Sequence, residues 1–472
     1  MLKPVITVAQ MREWEKATWA AGQSQAAVIH HVGLLVARRA QSLTRAGDRI
    51  LVLAGKGNNG EDARQAAAQL SGREPLLLNV ADPLTALEEI RRLILSPPAL
   101  VIDGLFGIGL NRPLDLKWTQ LIEFLNRLQI PILSVDVPSG LDADTGLPRG
   151  AAVRANLTLT FGAVKRGLLR QAATEHVGRL ELAAHIGLTP CPFQSELNWT
   201  SAEEFANWPP RRAEAAHKGS FGHVVVIAGS PGYHGAAVLA GQGALRARPG
   251  LVTVLPQADV YHPVAGQLAA AMVQKWQPQT RLLADCDAVV IGPGLAAADL
   301  PAELKFEVAR IWHGLPIPVI VDASALDWLP FGTITHGSLR VITPHPGEAA
   351  RMLKSTAAAV EADRPGAVRE LSRRWGGCWV VLKGRHTLMG RDTGPLHLNS
   401  SGNPGLAQGG SGDVLAGFLG GLLAQPALRA DLPRTLRYGV WQHGAAADAL
   451  AARRANWIVP DLLESLGDVS AA

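Results

Sequence analysis

The 472-residue chain is poor in cysteine, in charge and in long apolar runs. Cys191, Cys286 and Cys378 stand too far apart to form a metal knot, which points to structural thiols and a reducing compartment. No stretch reaches the roughly 18 uninterrupted apolar residues of a membrane-spanning helix, and Val414 to Ala424 suits a buried helix instead. The opening segment MLKPVITVAQMREWEKA carries charges throughout and has no apolar centre. No secretory leader is therefore expected, and a cytoplasmic location is. Net charge is +5, yet no dense basic run or aromatic-interleaved patch exists. Neither nucleic acid nor a membrane is expected as a partner, whereas a small anion fits. The chain lacks GxxxxGK[ST], which disfavours a P-loop nucleotide hydrolase; GKGNNG (55–60) has GxGxxG spacing but no clear acidic partner, so a Rossmann dinucleotide site is not supported. It also has no short-period internal repeat.

What is present is ample apolar content, 47%, against 18% charged residues, in a chain long enough for two or three domains. Helical spacing covers residues 1–46. Strand-like runs then alternate with helical ones: RILVLAG (49–55), PLLLNVA (75–81), ALVIDGLFG (99–107), PILSVDVPSG (131–140) and LTLTFG (157–162). Such alternation predicts an α/β domain with a mostly parallel sheet, whose ligands bind at the carboxyl ends of strands. GKGNNGED, DGLFGIGLNRP and DVPSGLD fall there. From about residue 187 to 215 the chain is rich in Pro, Ser and Thr and has no clear strand, so it reads as a linker with a short helix. The domains expected are residues 1–200 and 201–472.

The second half restarts with HVVVIAGS (223–230), followed by a Gly/Ala helix and by LVTVLP, AMVQKW, CDAVVIGPG, PVIVDAS, LRVITPHPGE and CWVVLKG as strands. RHTLMGR and PLHLNS read as an antiparallel pair. Glycine-rich loops recur at strand ends: AGSPGYHGA, IGPG, KGRHT and GGSGD. Four on one sheet exceed what turns need, and glycine permits the close backbone approach that phosphate cradles require. The stretch Gly402 to Gly421, GNPGLAQGGSGDVLAGFLGG, joins such a loop to an apolar helix. Unpaired N–H groups and the helix dipole there favour an anion. Asp413 at this junction is either a helix cap or a base beside a bound phosphate.

HKGSFGHVVVIAGSPGYHGAA, DAVVIGPGL, VIVDASAL, ITPHPGEAARML, VVLKGRHT, NPGLAQGGSGDVLAGFLGGLLAQ and HGAAAD, in that order, resemble the ADP-dependent NAD(P)H-hydrate dehydratases. That family has a ribokinase-like fold, and the similarity runs from about residue 217 to 460. The first half resembles the NAD(P)H-hydrate epimerases, which implies a Rossmann-like three-layer domain. A fusion of the two is the arrangement of the bifunctional NAD(P)H-hydrate repair enzymes.

The resemblance implies hydrated NADH and NADPH (NADHX and NADPHX) as substrates, ADP as phosphoryl donor, Mg²⁺ for the dehydratase and K⁺ for the epimerase. In the second half it implies Asp413 as base, with backbone N–H groups of Gly410, Ser411 and Gly412. Lys383, Gly384, Arg385, His386 and Thr387 would hold the nucleotide, and Ala236, Gly294 and His345 would line the hydrate site with Asp413. Glu348 would either help hold Mg²⁺ through water or cap the helix EAARML. His443 and Asp448 are expected in helix packing near the site. Gln408 stands where the family has a small hydroxyl residue.

In the first half the resemblance implies substrate contacts from Asn58, Asn59, Gly60, Glu61 and Asp62, and from Gly107, Ile108, Gly109, Leu110, Asn111, Arg112 and Pro113. Asp136 and Lys165 would be catalytic, and Asn59, Asp103 and Ser139 would be K⁺ ligands. Two departures occur. The family loop GNNGGDG reads GNNGEDA, so Glu61 is expected to add charge near the substrate and Ala63 to demand a different backbone φ. VIHHVG (28–33) replaces an LMENAG-like stretch. A homo-oligomer is expected, as in the family. The rival reading is a ribokinase-like small-molecule kinase with a degenerate epimerase-like first half.

Overall fold

A computed structural model describes residues 2–334 and 337–469. The chain divides into two compact units, one ending at Glu196 and the other running from Leu197.

In the first unit six strands line up as Glu74–Asn79, Arg49–Ala54, Leu100–Gly104, Ile132–Val135, Leu157–Phe161 and Arg179–Ala183. All pairings are parallel. Alternate residues serve opposite faces: Ile50, Val52 and Ala54 join one core with the helices Gln25–Leu43 and Asn58–Gln69. Leu51 and Leu53 join a second core with Pro83–Leu93 and Leu116–Arg127. Burial on both faces explains the continuous apolar runs and makes the unit a three-layer α/β sandwich. The last strand, Arg179–Ala183, lies beyond the expected series, because RLELA is short and interrupted by charge.

The second unit's sheet runs Leu197–Thr200, Leu396–Asn399, Leu388–Gly390, Trp379–Leu382, Arg340–Ile342, Val319–Val321, Ala288–Ile291, His223–Ile227, Leu251–Leu255 and Met272–Val273. RHTLMGR and PLHLNS form the antiparallel pair their pattern predicts. Two expectations need correction. LNWT, inside the supposed linker, is a strand parallel to Leu396–Asn399. The AMVQKW strand shrinks to Met272–Val273. The helix Ser411–Leu423 is buried along its whole apolar length against the helix His234–Arg246. A Cβ on Gly417 would lie 1.9 Å from Ala240 O, and one on Gly421 2.5 Å from Ala244 O. The small residues of GFLGG therefore let the two backbones touch and fix the helix whose first turn carries Asp413.

Candidate active sites

In the first unit, strand ends meet helix starts around a cleft of about 480 Å³. Asn58, Asn59, Asp62, Gly107, Ile108, Gly109, Leu110, Asn111, Arg112, Asp136 and Lys165 all line it. Asp136 follows its strand with φ of 64° and donates its N–H to Leu159 O. Its Oδ1 receives Lys165 Nζ at 2.5 Å and Thr160 Oγ1 at 3.0 Å. Lys165, fully buried, also donates to Thr160 Oγ1 and Phe161 O. Its three hydrogens thus have three acceptors, and the ion pair is fixed rather than swinging.

Glu15 and Asp62 add two carboxylates to the same cleft. Burial, then Asp136, pushes Glu15 above its ordinary value. Burial, then the charges of Asp136 and Glu15, pushes Asp62 up to about 8. Asp62 therefore holds its proton at neutral pH. Glu15 escaped the sequence reading because the helix Val8–Ala20 reads only as an amphipathic helix; Trp14 and Met11 are its buried face.

Gly60, Glu61 and Pro113 are not among the residues lining the cleft. A Cβ on Gly60 would lie 2.0 Å from Gly55 O, so this glycine packs the helix start onto its own strand. Glu61 turns to Arg64 at 2.8 Å and to Gln65, and those bonds lower its pKa. Ala63 sits in ordinary helix, fully buried against Gly104. Ala63 thus brings no strained φ, whereas the charge of Glu61 is among those that raise the pKa of Asp62 in the cleft. In VIHHVG, Val28, Ile29 and Val32 face the cleft, and His30 pairs with Gln65.

Beneath the 105–112 loop, Asn59, Asp103 and Ser139 gather around Phe106. Asn59 Nδ2 donates to Phe106 O at 3.0 Å, and Phe106 N donates to Ser139 Oγ at 2.8 Å. Asp103 is fully buried and accepts from Ser134 Oγ, Ser139 N, Ser139 Oγ and Leu105 N, all neutral groups. Burial raises its pKa.

In the second unit the candidate residues again follow parallel strands. Gly294 follows Ala288–Ile291 with φ of 64°, and a Cβ there would lie 2.8 Å from Ala236 Cβ, so the two adjoin. His345, half exposed, follows Arg340–Ile342 and starts the helix Pro346–Leu353. Its Nδ1 accepts from Gly347 N and Glu348 N, while Glu348 Oε2 accepts from His345 N. Glu348 thus completes a capping box with His345, and the same oxygen lies 3.7 Å from Lys383 Nζ.

Lys383 is no strand-end surface lysine. Its Nζ donates to Asp322 Oδ1 at 2.8 Å, and Thr343 Oγ1 donates to the same oxygen at 2.6 Å. Burial works against the ammonium, but Asp322 and Glu348 outweigh it and hold its pKa above the ordinary value. Behind it, Arg364 donates to Leu382 O and Lys383 O, and Thr387 donates to Gly384 O. Gly384, with φ of 127°, leaves room for that guanidinium, 2.8 Å from where a Cβ would stand. Arg385 is exposed. His386 turns its ring beside Trp199, with Nδ1 3.3 Å from Asn399 O, and burial pushes its pKa down to about 3. It is a neutral brace of the turn.

Gly410, with φ of 100°, caps the helix that begins at Ser411, and no side chain caps it. Asp413 is therefore not the cap. Burial, then the charge of Asp322, pushes its carboxyl up to about 7. Ser411 turns its hydroxyl back to Leu406 O and its N–H to Gln408 O. First-turn N–H groups at Gly412 and Asp413 have no intrahelical acceptor. A Cβ on Gly412 would stand 3.4 Å from Lys383 Nζ. His443 Nε2 lies 3.0 Å from Ser411 O, and Asp448 accepts from Gly402 N and Asn403 Nδ2. Gln408 donates to Gly405 O and Trp457 O, within the loop. Asp322, Thr343 and Arg364 were missed by motif reading, because their roles arise from partners 21, 61 and 18 residues away.

Residues 224–467 match the NAD(P)H-hydrate dehydratase family, and residues 76–167 match the family described as YjeF-related protein N-terminus. The chain is 33% identical over 467 residues to a bifunctional NAD(P)H-hydrate repair enzyme of Coxiella burnetii, covering 94% of each chain. It is 36% identical over 426 residues to one of Escherichia coli, covering 85% of this chain and 81% of that relative. The ADP/ATP-dependent NAD(P)H-hydrate dehydratase of Bacillus subtilis, co-crystallised with ATP and Mg²⁺, is 28% identical with a TM-score of 0.50, over 57% of this chain and 95% of that one. A ribokinase-like superfamily protein of Enterococcus faecalis is 25% identical with a TM-score of 0.52, over 58% and 96%. The second unit is ribokinase-like, and matches spanning both halves do not favour a lone small-molecule kinase. With relatives of this identity covered over most of their length, the chain belongs to the bifunctional NAD(P)H-hydrate repair enzymes.

Proposed function

We propose that the chain repairs hydrated NADH and NADPH at two sites, with the first unit, which ends at Glu196, epimerising the R and S hydrates and the second, from Leu197, dehydrating the S form. The observation that carries the reading is Asp413: a half-buried carboxyl at a helix start, left out of capping, with the Lys383 ammonium beside the preceding residue, Gly412. Hydroxide is a poor leaving group from C6 of the hydrated ring. Phosphorylating that hydroxyl makes it a good one. Asp413 takes the hydroxyl proton while the terminal phosphoryl of ADP transfers, and AMP departs. The ring nitrogen lone pair then expels phosphate, and loss of the C5 proton restores the double bond. Gly412 and Asp413 N–H groups with Lys383 receive the phosphate charge, the KGRHT turn holds the nucleotide, and Gly294, Ala236 and His345 line the hydrate site.

No cluster of three or more His, Cys, Asp or Glu able to hold a metal occurs among the described residues. Mg²⁺ would therefore come with the nucleotide phosphates, with Glu348 adding through water, as is usual for this ion. It would neutralise charge on the transferring group. In the first unit Asp136 and Lys165 act on the C6 centre of a hydrate held by Asn58, Asn59, Asp62 and the 107–112 segment. Asp103, a buried carboxylate among neutral partners, suits a cation. Oxygens of Asn59, Ser139 and Phe106 complete a set of hard donors fitting K⁺, whose charge would steady the 105–112 loop. The assembly is a homo-oligomer in cytoplasm.

The test is incubation of the protein with NADH hydrate, ADP and Mg²⁺. Absorbance of reduced nicotinamide should return, with AMP and phosphate released. A stable phosphorylated hydrate, or no reaction, would sink the dehydratase reading. ATP in place of ADP identifies the donor.

A further inference from the structure

Asp322 follows the strand Val319–Val321 and is 2% exposed. Nothing in the dehydration chemistry above assigns it a role. Its Oδ1 receives both the Thr343 hydroxyl and the Lys383 ammonium, and its Oδ2 lies 3.9 Å from where a Cβ on Gly412 would stand. Lys383 Nζ is 3.4 Å from the same point. The ammonium is thus held between a buried carboxylate and the first turn of the helix Ser411–Leu423. A lysine on its four-carbon stem is otherwise a poorly fixed charge. A carboxylate so close to a phosphate site would repel the phosphate unless the ammonium stood against it. Thr343 occupies a further acceptor site on Oδ1, which leaves the carboxylate little freedom to turn.

We propose that Asp322 is a positioning residue for phosphoryl transfer: with Thr343 it fixes the Lys383 ammonium against Gly412 before the nucleotide arrives. The inference rests on the reading of this unit as a phosphoryl-transfer site. Charge already in place costs no reorganisation when the phosphate reacts. Asp322 acts through Lys383, so the two residues should not contribute independently.

The experiment compares full-length Asp322→Asn, Lys383→Met, the double variant and Thr343→Val. Each is measured for ADP binding by calorimetry without hydrate, for kcat and KM of dehydration, and for cooperative thermal unfolding. Asp322→Asn and Lys383→Met should each lose about 100-fold in kcat and bind ADP more weakly, with KM for the hydrate changed far less. The double variant should lose no more than Lys383→Met alone, because the second change removes a residue with nothing left to position. It also removes both buried charges, so it should fold even where Lys383→Met does not. Thr343→Val should lose about tenfold in kcat with unfolding nearly unchanged, as suits one neutral hydrogen bond. Asp322→Asn within twofold of the unaltered protein in kcat and ADP binding would overturn the proposal. So would losses that multiply in the double variant. The ADP-binding pattern decides the role of Asp322 even if the unaltered protein leaves the hydrate unconverted, an outcome that refutes only the substrate reading.

Discussion

Asp413→Asn should abolish dehydration and at the same time stabilise the protein near neutral pH. The carboxyl sits in the first turn of a buried helix, and burial with the nearby Asp322 raises it from 3.8 to about 7. As a base it is half ionised at about pH 7 and loses about tenfold in active form for each pH unit below. kcat/KM for dehydration should therefore rise with pH up to about 7 and level off above. Asn cannot take the proton. The loss expected for a positioned general base is about 10²- to 10⁴-fold, and the acid limb should vanish with it.

The stability effect has the opposite sign. The folded protein keeps this proton up to about pH 7, whereas the unfolded chain releases it near 3.8. Between those values the folded state binds more protons, so this group's contribution to stability falls as pH rises, by at most about 1.4 kcal/mol per pH unit. Asp413→Asn removes that slope. Recovery of reduced nicotinamide absorbance measures the first effect and urea unfolding from pH 4 to 8 measures the second. A variant keeping more than a tenth of the activity, or one that loses stability relative to the parent as pH rises across this window, would refute the reasoning.

Two further changes test other parts of the molecule. Arg340, 2% exposed, donates to the carbonyls of Trp312, Leu315 and Ile317 and so closes the end of the helix Ala302–Gly314. Arg340→Met should cost about 3 kcal/mol or more in urea unfolding, since several buried acceptors lose their donor, while the parent's ADP affinity is largely kept. Asp103→Asn should remove the dependence of epimerisation on K⁺ over Li⁺ and leave dehydration of S hydrate unchanged; a variant that still responds to K⁺ like the parent places the ion elsewhere.

Much of this was legible in the sequence. Strands buried on both faces, such as RILVLA and HVVVI, are unbroken apolar runs with glycine beyond them, and each lies where its pattern puts it. The cleft of the first unit gathers most of its expected residues, because strand-end loops in a parallel sheet share one edge. What could not be read was long-range pairing. LNWT is too polar to announce a strand, and its strand character comes from Leu396–Asn399. Asp322 reads as any strand-end aspartate until Thr343 and Lys383 meet it. That Asp413 is not the cap shows only once Gly410 is seen to hold the cap position. The ion pair of Glu61 with Arg64 could not be read from the loop motif either.

Pure R hydrate of NADH, supplied with ADP and Mg²⁺ to the intact chain, tests the two-site account most directly. Complete recovery of reduced nicotinamide, with one AMP formed per hydrate, is the expected result. Asp136→Asn should convert R hydrate only as fast as it epimerises spontaneously, while still dehydrating S hydrate at the parent rate. R hydrate consumed no faster by the intact chain than by Asp136→Asn would contradict an epimerase in the first unit.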